Sequence, residues 1–67
     1  MEQIFKIGAV ANASRAKRIL TESGIKGRLT KTDDSREGCA WGIAVGGKDA
    51  EETSLLLKRA GIRYEVL

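Results

Sequence analysis

The sequence has no proline and no histidine, a single cysteine, and only three aromatic residues, Phe5, Trp41 and Tyr64. Without proline or a low-complexity run, nothing in it reads as a linker or a disordered tail. One cysteine excludes an internal disulfide. With no histidine beside it, one chain cannot assemble a transition-metal site of the Cys/His kind, so neither metal nor cofactor is expected. RNA binding through a sheet needs exposed aromatics on the central strands, and the few present fit a core better. No apolar stretch is long enough to span a bilayer. The opening Met1-Glu2-Gln3 lacks the basic start of a signal peptide. These absences lead to the expectation of a cytoplasmic protein whose thiol stays reduced.

What is present is enough for one small domain. Sixty-seven residues with a hydrophobic fraction of 42% allow a modest core, near the lower limit for folding without staples, so a homo-oligomer is an expected partner state. Twelve basic residues against nine acidic ones give a net charge of +3, with the signs interleaved. That pattern is a solvated surface rather than a nucleic-acid or membrane footprint.

In chain order, Ile4–Val10 reads as a strand with Phe5, Ile7 and Ala9 on one face. Asn12 is a candidate N-cap for a helix over 12–24, whose inward stripe is Ala13, Ala16, Ile19, Leu20 and Ser23, with Gly24 as its stop. Gly27–Thr32 reads as a weak edge strand and Asp33–Gly38 as a polar connecting loop. Cys39–Val45 is a second strong strand, with Trp41, Ile43 and Val45 on one face and the thin set Ala40, Gly42 and Ala44 on the other. Asp49, followed by Glu51 and Glu52, starts a helix over 49–61 with Ala50, Thr53, Leu56, Leu57 and Ala60 inward. Ile62–Leu67 reads as the last strand.

The second half repeats the first at a constant offset of 37 residues: Asn12-Ala13 matches Asp49-Ala50, Ile19-Leu20 matches Leu56-Leu57, and Gly24-Ile25-Lys26 matches Gly61-Ile62-Arg63. Two strand–helix–strand units, about 4–32 and 40–67, predict a single α+β domain. Its expected form is the ferredoxin-like βαββαβ sandwich: a four-stranded antiparallel sheet of order 4132 with two helices on one face.

That topology brings the hairpin before Cys39 to the sheet edge where the first helix begins. The thiol is then expected near Val10, Ala11 and the first helical turn, whose unpaired N–H groups at Asn12, Ala13 and Ser14 favour an anion. Arg36 lies in the same hairpin, and Gly38 leaves the thiol open to approach. Cations and helix N-termini are the usual means of lowering a cysteine pKa, while Glu37 opposes the shift. With no histidine to act as base, carriage of a group on Cys39 suits these residues better than hydrolysis. Against this stands the plainer reading of Cys39 as a small apolar residue at a strand start.

The opening strand, the helix ending Leu20-Thr21-Glu22-Ser23-Gly24-Ile25, the polar loop with Gly38-Cys39, and the closing Leu57-Lys58-Arg59-Ala60-Gly61-Ile62 together resemble a family. It is the small bacterial and archaeal domain of unknown function described as selenium/sulfur (Se/S) carrier-like, and the likeness covers nearly the whole chain. Ala40 follows the thiol here, where the family often has glycine. The resemblance implies a sulfur or selenium carrier. Cys39 would take up a persulfide or selenosulfide from a donor protein and pass it to an acceptor enzyme, making the chain a carrier rather than a stand-alone enzyme. The alternative is a small ligand-binding or protein-interaction module with a structural cysteine. In that case the thin strand face, or Leu55 outside the inward stripe, would meet a ligand or a second chain.

Overall fold

A computed structural model describes the backbone of residues 1–34 and 38–67 and the side chains of 1–32 and 40–67. Chain order runs β1 (Glu2–Gly8), α1 (Val10–Glu22), β2 (Gly27–Asp34), β3 (Gly38–Gly46), a 3-10 turn (Gly47–Asp49), α2 (Ala50–Arg59) and β4 (Glu65–Val66). The four strands form one antiparallel sheet in the order β2-β3-β1-β4. This is the ferredoxin-like arrangement that the repeat predicts.

The register explains where the core sits. Leu29, Ile43, Phe5 and Val66 stand opposite one another in a row across all four strands. Phe5, Ile43 and Val45 from this face are buried together with Ala16, Leu20, Ile25, Leu57 and Ile62. Both helices therefore cover the same face. Each contributes residues three or four apart, as one side of a helix must. α1 buries Ala13, Ala16 and Leu20, and α2 buries Thr53 and Leu57. Ile19 and Leu56, expected fully inside, are half-buried and pack on the margin of this core, while Ser23 is exposed.

Both helices close alike. Ile25 N–H donates to Leu20 O at 2.8 Å and Gly24 N–H to Thr21 O at 3.1 Å; Ile62 N–H donates to Leu57 O at 3.0 Å and Gly61 N–H to Lys58 O at 3.1 Å. This is the Schellman pattern, and it needs a left-handed residue after the cap. Gly24 and Gly61 supply it at φ +80 and +72. The isoleucine after each glycine turns inward against the leucine whose carbonyl it caps.

Several expected boundaries move. β1 runs from Glu2 to Gly8 rather than from Ile4 to Val10, because Gly8, at φ +104, ends the strand. α1 then begins at Val10 with Ala9 as its N-cap, so Asn12 is not the cap but lies inside the first turn. β2 extends to Asp34 and β3 starts at Gly38, so the hairpin consumes most of the expected 33–38 loop. β4 shrinks to Glu65–Val66, since Ile62 is committed to the helix cap and pairing with β1 starts only at Glu65.

The opposite sheet face is not the open seam that its small residues suggested. Ala40 and Ala44 are each only 2% exposed. A Cβ on Gly42 would come within 2.6 Å of Phe5 O and 3.2 Å of the Thr32 methyl, so Thr32 lies over that position. Its hydroxyl donates to Ala40 O at 3.2 Å. Glycine at 42 leaves room for the β1 backbone at Phe5 and for the Thr32 methyl.

Candidate functional site

The β2–β3 hairpin overhangs the sheet. On one side β3 pairs with β2 as far as Asp33 opposite Cys39 and Asp34 opposite Gly38. On the other, its pairing with β1 stops at Trp41 opposite Gly8. Cys39 therefore lies on β3 two residues beyond the end of β1, about 7 Å along the strand. β1 ends in Gly8 and α1 starts one residue later, so the backbone of Cys39 and the N-terminus of α1 share one end of the sheet. Arg36 and Glu37 fall outside the described residues, as does the side chain of Cys39, and Gly38 is described by its backbone alone.

The start of α1 has a particular electrostatic character. Its N-cap is an alanine with no side-chain hydrogen bond, and its first turn carries no acidic residue. The N–H groups up to Asn12 have no partner in the preceding turn, whereas Ala13 N–H already donates to Ala9 O at 3.0 Å. This corrects the expected donor set. Asn12 remains in it, but Ala13 is engaged and fully buried, and Ser14 lies past the unpaired groups. Val10 and Ala11 take their places because the helix starts three residues earlier than an Asn12 cap would require. An uncapped N-terminus without carboxylates keeps its partial positive charge for an external anion.

Sequence reading missed Lys31. It stands directly opposite Trp41 in the hairpin, and its Nζ lies 5.8 Å from the centroid of the Trp41 ring. Trp41 is half-buried and outside the main core cluster. It forms the base of the overhang, with a cation held on its face. The signal was available in principle, since hairpin register pairs 31 with 41 once Asp33 faces Cys39. An expected loop at 33–38 concealed it.

No family model and no curated protein matches the chain. Among solved structures, the chain is similar to the regulatory subunit of aspartate kinase from Thermus thermophilus in its ligand-free form, with a TM-score of 0.63 and 22% identity over 98% of this chain. The match spans 47% of that subunit, so the chain covers about half its length. This likeness establishes the class of fold: a small α+β sandwich of ferredoxin type. Among the described residues, no helix is long and apolar enough to cross a membrane.

Proposed function

We propose that the chain is a sulfur or selenium carrier working through Cys39. The observation that supports this reading is the N-terminus of α1, without a capping side chain or a carboxylate of its own first turn, at the end of the sheet that the β3 register gives to Cys39. A thiolate there gains from the helix dipole, and Lys31 adds a cation two register steps away. In the proposed step the Cys39 thiolate attacks the outer sulfur of a donor persulfide. The new sulfur–sulfur bond forms as the donor thiolate leaves, so no oxidant is consumed. For selenium the donor is a selenosulfide, and its outer selenium is transferred in the same way. An acceptor thiolate then attacks the carried atom and releases Cys39. Arg36 and the N–H groups of Val10, Ala11 and Asn12 stabilise the anion in both directions. Donor and acceptor proteins are the partners this chemistry requires, and self-association through exposed Leu55 is part of the same proposal.

The test is intact-mass analysis after incubation with a persulfide. The carrier gains one sulfur atom, reversibly on adding a thiol, and Cys39→Ala gains none. The alkylation rate of the native protein should titrate below about 8.5, the value of a free cysteine. Negligible alkylation across neutral and mildly alkaline pH in the native state, with no mass gain, would overturn the proposal and leave Cys39 as a packing residue.

A further inference from the structure

The internal repeat supplies a control for one place in the molecule. After the first helix the chain reads Gly24-Ile25-Lys26-Gly27, and β2 pairs at once, Gly27 against Val45. A side chain would be crowded there: a Cβ on Gly27 would come within 3.0 Å of Ile43 Cγ2 and 3.2 Å of Leu20 Cδ1. After the second helix the chain reads Gly61-Ile62-Arg63-Tyr64, so a tyrosine stands where the first copy has glycine. Its ring packs edge to face on Phe5, with centroids 5.4 Å apart, and its hydroxyl is hydrogen-bonded to Ser54. The chain is held off β1 until Glu65, and from Ile7 onward β1 has no ladder partner on that side.

Between these two walls lies a cleft of about 640 Å³, within the range of about 300–1,000 Å³ usual for small-molecule sites. Its apolar surface comes from Ile7, Ile62 and Tyr64, and its charges are three cations, Lys6, Lys58 and Arg63, against one carboxylate, Glu65. Lys58 and Arg63 are exposed. Tyr64 is fixed at both ends of its side chain, and Ile62 is held by its cap bond to Leu57, so the cleft is largely formed before any ligand arrives.

We propose that this cleft binds a small organic anion with an apolar body. The apolar part would lie on Tyr64 and Ile62, and the anionic group would be drawn to Lys58 and Arg63. The proposal does not rest on the chemistry of Cys39, and it stands or falls separately.

An amide-resolved NMR titration of the full chain tests it, with phenylpropionate, phenylpropanol and inorganic phosphate as probes. Phenylpropionate should give saturable shifts centred on residues 6–8 and 58–65. Phenylpropanol should bind roughly three- to tenfold more weakly, the selectivity that two exposed ion pairs supply. Phosphate should also bind more weakly than phenylpropionate. Arg63→Gln, a change at an exposed position, should bring the affinities for the acid and the alcohol closer together. Shifts that do not saturate, or that centre elsewhere, would overturn the proposal. So would equal binding of acid and alcohol, which would mean an apolar patch without anion selection, or phosphate binding as tightly as the acid, which would mean no role for the apolar body.

Discussion

At their C-terminal ends α1 and α2 carry the same device: a leucine carbonyl capped by the isoleucine five residues on, with a left-handed glycine between. Their N-terminal ends differ. α2 follows a 3-10 turn, has Asp49 at its N-cap, carries Glu51 and Glu52 in its first turn, and ends with Lys58 and Arg59 in its last. α1 has an alanine N-cap, no acidic residue in its first turn and no basic one in its last. The macrodipole of α2 is thus matched by its own charges, and that of α1 is not. Two copies of one unit share what packing demands at one helix end and differ in cap and charge at the other. The unmatched terminus is the one at the Cys39 end of the sheet.

The largest expected effect tests the shared part. Leu20→Ala and Leu57→Ala each remove a fully buried side chain at matched positions. Each should cost about 2–5 kcal/mol in urea unfolding, enough to unfold much of so small a domain. A Leu57→Ala protein as stable as the parent would mean that the second copy is not packed like the first. The caps come next. Gly24→Ala and Gly61→Ala force a Cβ into the left-handed region, where nothing else crowds it, so both should lose about 1–2 kcal/mol by the same assay. Unequal losses would break the equivalence of the two helix ends.

The difference between the N-termini is sharpened by adding what α1 lacks. Ala9→Asp should stabilise the protein by about 1 kcal/mol as an N-cap, and should also raise the pH midpoint of Cys39 alkylation, since the new carboxylate competes for the terminus. Glu52→Gln at α2 should leave that midpoint unchanged. If Ala9→Asp stabilises without moving the midpoint, α1 does not act on the thiol. The smallest effect belongs to Lys31→Gln. It should raise the midpoint by less than about one unit, because a solvated cation is screened, and should alter Trp41 fluorescence. A midpoint that stays put while the fluorescence changes would restrict Lys31 to packing on the ring.

Much of this was legible in the sequence for a local reason. Leu20-Gly24-Ile25 and Leu57-Gly61-Ile62 state a helix end within six residues, because the bonds that close it join neighbours in the chain. The inward stripes follow from helical periodicity, and the strand order follows from the repeat. The start of α1 was not legible. Asn12 is a better cap residue than Ala9, but Gly8 ends β1 early and the helix starts at once. The extent of β4 was hidden as well, since a tyrosine in place of Gly27 has consequences only when Phe5 is there to receive its ring.

By itself, then, the sequence determined the two C-terminal helix caps, the core residues Phe5, Leu20, Ile43, Val45 and Leu57, and the order of four strands. Only the tertiary structure decided that the hairpin overhangs β1, that Lys31 meets Trp41, that Thr32 closes over Gly42, and that a cleft opens beside Tyr64. Cap bonds and periodicities are fixed by residues a few positions apart. Register and strand length depend on which side chains meet across the sheet, and those partners can lie as far apart in the chain as Phe5 and Val66.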